Sequence, residues 1–120
     1  MLNQPRYKVL IVEDDAPIRT MYELKLKKTG FLVQSANDGD SGLKKAKDFR
    51  PDIVLLDVMM PGMNGIETCR AMRNLPSLRE TPIAMLTALS ERESEEACIK
   101  AGANDYITKP IRPKLLMSRI

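Results

Sequence analysis

The sequence predicts an α/β fold: a five-stranded parallel sheet, doubly wound, with helices on both faces. Three observations carry this. Short apolar runs at Val9–Val12, Ile53–Leu56 and Ile83–Leu86, with strand-like stretches at Phe31–Ser35 and Tyr106–Thr108, alternate with amphipathic segments of helical length. The runs are continuous rather than alternating, which is the pattern of strands covered on both faces. Turn residues separate strand from helix throughout, and right-handed crossovers then place helices on both sides of the sheet.

The elements follow in order. After the first strand, Asp15 is placed to cap a helix whose first turn tolerates Pro17, with Ile18, Met21, Tyr22 and Leu26 as apolar positions at helical spacing and Gly30 near its end. The spacing predicts a second helix from Asp38 to Phe49 with Leu43, Ala46 and Phe49 inward, stopped by Pro51. A loop dense in turn residues, Met60-Pro61-Gly62-Met63-Asn64-Gly65, leads into a third helix. That helix turns Ile66, Cys69 and Met72 inward and leaves Arg70 and Arg73 for solvent; Pro76 to Pro82 connects it to the fourth strand. Ser90 and Glu93 form a capping box for a fourth helix, with Ala97, Cys98 and Ala101 toward the sheet and Gly102 closing it. A last helix starts near Pro113 with Leu116 and Ile120 on one face.

The chain of 120 residues fits one domain, spanning 1–120, with residues 1–6 as a disordered lead. The last helix is short for its type and has no cap, so it reads as cut short, with an output domain expected to follow. Apolar and charged contents of 43% and 29% are those of an ordinary globular protein, and no run approaches the roughly 20 apolar residues of a membrane span. The first residues lack the pattern of a secretory signal. Cys69 and Cys98 have no metal-ligand spacing and the chain has no histidine, so they read as reduced structural thiols of a cytoplasmic protein. A net charge of +3 and five aromatic residues are too little to argue nucleic-acid binding by this domain.

The functional signal lies in what ends the strands: Glu13-Asp14-Asp15 after the first, Asp57 after the third, Thr87 after the fourth and Lys109-Pro110 after the fifth. In open parallel sheets ligands bind at the carboxyl ends of the strands, so these residues are expected to meet on one edge. Two like charges about 4 Å apart cost on the order of 4 kcal/mol at an effective dielectric near 20, so converging carboxylates imply a bound cation. A few carboxylates completed by waters suit Mg²⁺ better than a protein-built Ca²⁺ cage. Lys109 and Thr87 offer a fixed positive charge and a hydroxyl donor for phosphoryl oxygens. Asp57 can act as the nucleophile that takes the group as an acyl phosphate. Taken singly, each residue has a plainer reading: Asp15 as a helix cap, Thr87 as a strand end, Lys109 as a surface charge and Tyr106 as packing.

The ordered set resembles the receiver domain of two-component response regulators. The matching pieces are V-L-I-V-E-D-D, D-I-V-L-L-D-V-M-M-P-G-M-N-G, P-I-A-M-L-T-A and A-G-A-N-D-Y-I-T-K-P, and the resemblance extends over essentially residues 7 to 120. The resemblance implies a flavodoxin-like sheet of strand order 2-1-3-4-5. It implies Asp57 as phosphoacceptor, with Mg²⁺ held by Asp14 and Asp57, by the Met59 backbone carbonyl, and by Glu13 directly or through water. It further implies Thr87 and Lys109 as phosphoryl contacts and a cis Lys109-Pro110 bond. Thr87 and Tyr106 become the switch pair, and the fourth helix, fifth strand and last helix become the face that reports phosphorylation. The expected phosphodonor is a sensor histidine kinase or a histidine phosphotransfer protein, docking near the helix that carries Arg19, Lys25, Lys27 and Lys28, or else a small acyl phosphate. A homodimer through the fourth helix, fifth strand and last helix fits the same resemblance.

Other classes fit less well. A haloacid-dehalogenase-type phosphatase also uses an aspartate nucleophile but wants a second Asp two residues on, where Met59 stands. A flavodoxin-like cofactor binder wants a phosphate loop rich in Ser, Thr and Gly after the first strand, and none is there. The remaining alternative is a degenerate receiver that binds partners without phosphorylation, against which the intact acid, acceptor, hydroxyl and lysine positions count. The expected class is thus a regulatory phosphoacceptor and not an enzyme acting on a separate substrate.

Overall fold

The computed structural model describes residues 7–58, 60, 62, 64–87 and 92–108, with the backbone alone for Thr87, 92–95, Tyr106 and Thr108. Strands β1 (Lys8–Val12), β2 (Leu32–Ala36), β3 (Ile53–Asp57), β4 (Ile83–Thr87) and β5 (Asp105–Thr108) form one parallel sheet in the order β2-β1-β3-β4-β5. Helices α1 (Ala16–Thr29), α2 (Gly39–Phe49), α3 (Gly65–Arg73) and α4 (Arg92–Lys100) connect them, with a 3₁₀ turn at Pro76–Leu78. This is the expected order and class. The last helix of the sequence reading, Ser90 of its capping box, and Lys109-Pro110 lie outside the described residues.

Strands β1 to β4 feed two cores because their side chains alternate between faces. Leu10, Val12, Val54 and Leu56 pack with α2, α3 and α4 through residues such as Ala46, Cys69, Met72 and Cys98. Val9, Ile11, Ile53 and Leu55 pack on the opposite face with Tyr22 and Leu26 of α1. β1 and β3 sit inside the sheet and are covered on both sides, which is why Val9–Val12 and Ile53–Leu56 are apolar at every position.

The helix ends follow their local chemistry. The Asp15 carboxylate accepts from the Ile18 amide at 3.0 Å and starts α1. Gly30, at φ 111, supplies the left-handed turn that ends it. Asp38 caps α2 by accepting from the Ser41 amide at 2.8 Å, and Arg50 ends that helix at φ 50 just before Pro51. Asn64 and Glu67 form a reciprocal capping box at the start of α3, which the sequence reading did not assign.

Two expectations need correction. Met21 is 40% exposed, because the inward stripe of α1 runs through Ile18, Tyr22 and Leu26, and Met21 lies one residue and about 100° to its side. Arg73 does not point to solvent. Its guanidinium donates to the carbonyls of Gly102 at 2.8 Å, Leu78 at 2.7 Å and Thr81 at 2.6 Å, and to the Asn104 side chain. Asn104 in turn accepts from the Ile83 amide at 2.9 Å, so one side chain of α3 ties the turn after it to the starts of β4 and β5.

Candidate functional site

The parallel register brings the strand ends together. Val12 pairs with Leu56 and Asp57 with Leu86, so the residues after β1 stand beside the end of β3, and Thr87 ends β4 one residue past the partner of Asp57. The Glu13 amide extends the ladder by donating to the Ala36 carbonyl at 3.0 Å, which holds Glu13 at the sheet edge. Its side chain is 1% exposed and one carboxylate oxygen accepts from the Asp15 amide at 3.3 Å. Asp57 is also buried, at 4% exposed, and the next amide, Val58, donates to the Leu86 carbonyl at 3.0 Å. Asp14 lies open to solvent.

Carboxylate oxygens of Glu13, Asp14 and Asp57 lie within 4.8 Å of one another. Residues 44 positions apart in the chain thus build one acidic edge, as their strand-end placement predicted. The donor set is all oxygen, two buried and one exposed, which suits a hard divalent cation with waters on its open side. Like-charge repulsion among three such groups makes cation binding the natural way to stabilise them.

Backbone packing beneath Asp57 is tight. The Gly65 amide donates to the Val58 carbonyl at 3.1 Å, and a Cβ on Gly65 would stand 2.0 Å from the Asp57 carbonyl oxygen. The start of α3 therefore rests directly on the peptide of the candidate nucleophile, and only glycine permits that approach. The sequence marked Gly65 as a turn residue and gave no sign of this contact.

Of the other expected site residues, Thr87 occupies the end of β4 in register with Thr108, and Tyr106 lies on β5 in register with Met85. Met59 and Lys109 lie outside the described residues. Arg19, counted with the basic side of α1, instead turns to the acidic loop and donates to the Glu13 carbonyl at 2.9 Å. The thiols stand apart from this edge: both are buried and neither is in a disulfide, and burial pushes the Cys69 thiol up to about 11.

An open parallel sheet with a buried aspartate closing its central strand, and an acidic pair beside it, defines a doubly wound α/β domain with an acidic carboxyl edge. The response regulator receiver domain model matches residues 9–120, and the chain belongs to that family. It is 41% identical over 115 residues to the DNA-binding response regulator MtrA of Mycobacterium tuberculosis, an alignment that takes in 96% of this chain and 49% of MtrA. The chain spans about half the length of the curated relatives it matches. Among solved structures, the chemotaxis protein CheY4 of Vibrio cholerae superposes with a TM-score of 0.89 at 36% identity, covering 96% of both chains. The receiver domain of the sensor histidine kinase PA1611 of Pseudomonas aeruginosa, with a magnesium ion coordinated in its active-site cleft, superposes with a TM-score of 0.86 at 31% identity, over 96% of this chain and 94% of that one.

Proposed function

We propose that this receiver domain takes a phosphoryl group from a phosphohistidine donor onto Asp57, and that the acyl phosphate so formed switches its output. The observation that carries this reading is the convergence of the Glu13, Asp14 and Asp57 carboxylates within 4.8 Å at the carboxyl edge of the sheet. An Asp57 carboxylate oxygen attacks phosphorus, the bond from phosphorus to the donor nitrogen breaks, and the imidazole leaves with the electron pair. Water later attacks the acyl phosphate, releasing inorganic phosphate and restoring the carboxylate.

Glu13, Asp14, Asp57 and the Met59 backbone carbonyl would hold Mg²⁺, with Glu13 bound directly or through water. The ion, when bound, offsets the negative charge of phosphoryl oxygens and of the carboxylates themselves. Thr87, at the end of the neighbouring strand, and Lys109 contact the remaining phosphoryl oxygens. Movement of Thr87 toward the phosphoryl group and of Tyr106 inward then favours one of two arrangements of the face formed by α4, β5 and the last helix.

The chain itself has no histidine, and the donor in this reading is a sensor histidine kinase or a histidine phosphotransfer protein. Pro17, Thr20, Met21, Leu24, Lys25 and Lys28 line an open, mostly apolar groove on α1, and exposed Met21 and Leu24 beside the two lysines support docking of the donor there. A homodimer through the α4 and β5 face, an output domain and a cytoplasmic location belong to the same reading. Among the described residues no helix is long and apolar enough to cross a membrane.

The test is incubation with acetyl phosphate and Mg²⁺, with the intact protein weighed beside Asp57→Ala and beside a sample in excess EDTA. The expected result is one added phosphoryl group that both controls lack. No addition, together with no binding of beryllofluoride, would refute the reading and leave a binding-only receiver.

A further inference from the structure

We infer that Arg19 is a positioning residue for the acidic edge, holding Asp14 where it can share a cation with Glu13 and Asp57; the inference rests on the proposed metal-dependent function. The three carboxylates are not equally constrained. Glu13 is buried and accepts from the Asp15 amide, and Asp57 is buried at the end of β3. Asp14 is exposed, and among the described residues its side chain has no hydrogen bond that would fix it. Its place is therefore set by its backbone.

That backbone is held by one guanidinium nitrogen. Arg19 Nη1 donates to the Glu13 carbonyl at 2.9 Å and reaches the Asp14 carbonyl at 3.5 Å, the two carbonyls of the peptide units that flank Asp14. The Arg19 amide donates to the Asp15 carbonyl at 2.9 Å, so the anchor point on α1 is itself tied to the same loop. With no cation bound, repulsion from Glu13 and Asp57 drives the Asp14 carboxylate outward. The exposed side chain can turn about its own bonds, but the direction in which it leaves the backbone is set by the peptide between Glu13 and Asp14, whose reorientation the bond to the Glu13 carbonyl resists.

Arg19 also carries a positive charge, which acts on a cation in the opposite sense, and the two effects predict opposite orders of affinity. If positioning dominates, Arg19→Met weakens divalent binding by about fivefold or more, the scale of freeing one residue's backbone. Arg19→Lys, which keeps the charge and one point donor, falls between that variant and the wild type. If charge dominates, Arg19→Met binds more tightly than the wild type and Arg19→Lys matches it.

The experiment titrates the whole chain with Mg²⁺ alone by calorimetry in the three forms. It also compares amide hydrogen exchange of the metal-free proteins at residues 13–15 and, as a control for the fold, in β3. The expected result is the affinity order wild type, then Arg19→Lys, then Arg19→Met, with faster exchange at 13–15 and unchanged exchange in β3. Mg²⁺ binding by wild type with equal or tighter binding by Arg19→Met would overturn the positioning role alone. Failure of the wild type to bind Mg²⁺ would overturn the proposed function and this inference with it.

Discussion

Replacing Gly65 by alanine probes how closely α3 is built onto the candidate nucleophile. An added Cβ would stand 2.0 Å from the Asp57 carbonyl oxygen and 2.8 Å from the Val58 Cα, both backbone atoms that cannot rotate away. The start of α3 must retreat by about 1 Å to restore an ordinary contact, and the 3.1 Å bond from the Gly65 amide to the Val58 carbonyl lengthens with it. Losing that bond costs about 1 kcal/mol. Strain in a packed region adds about 1–3 kcal/mol, and the better helix propensity of alanine offsets about 1 kcal/mol. The net expectation is a loss of about 1–3 kcal/mol, read as a lower urea midpoint with an unchanged slope. Because the clash is with the Asp57 peptide, strain that α3 does not absorb shifts Asp57 itself, and acetyl-phosphate-driven phosphorylation should also slow by on the order of tenfold or more. Gly30→Ala separates the two effects. A Cβ there meets nothing within 4 Å but is forced to φ 111, so it should cost about 1–2 kcal/mol and leave phosphorylation unchanged. A Gly65→Ala protein with wild-type midpoint and wild-type phosphorylation would refute the reasoning.

Two further expectations concern titrating groups. Burial raises the Cys69 thiol from an ordinary 9.0 to about 11, so its contribution to stability is fully present below pH 9.0 and lost as pH rises toward 11. Cys69→Ala should flatten that alkaline decline in urea midpoints, and the wild-type thiol should resist alkylation at pH 8 until the protein unfolds; rapid labelling of the native protein would contradict this. The Asp38 carboxylate is held below its ordinary 3.8 chiefly by the hydrogen bond from the Ser41 amide, so its contribution is present above pH 3.8 and lost as pH falls through the lowered value. Asp38→Asn keeps an acceptor at the cap but removes the titration, and should flatten the acid limb of the same midpoint curve.

The sheet and its acidic edge were legible because both depend on one-dimensional features. A strand covered on both faces must be apolar at every position, so β1 and β3 stand out as Val9–Val12 and Ile53–Leu56 whatever packs against them. Chemistry at a strand's carboxyl end needs no further coordinate, since a parallel sheet gathers all such ends on one side. Glu13, Asp14 and Asp57 met for that reason. The capping box of Asn64 and Glu67 is an N-x-x-E pattern equally present in the sequence, but it is embedded in a run of turn residues that obscures where the helix begins.

The two arginines show where such reading stops. Periodicity reports the direction in which a Cα–Cβ bond leaves a helix, and on that basis Arg19 and Arg73 both belong to outer faces. A guanidinium acts several bonds farther out, and its favoured partners are carbonyls left unpaired by loops and helix ends. Arg73 finds those of Leu78, Thr81 and Gly102, and Arg19 that of Glu13. Which carbonyls lie within reach is decided by where the crossovers return the chain to the sheet, a property of the topology that no local pattern encodes. Gly65 is the same case with the sign reversed, since what its missing side chain permits depends on a peptide that the fold, and not the neighbouring sequence, brings to it.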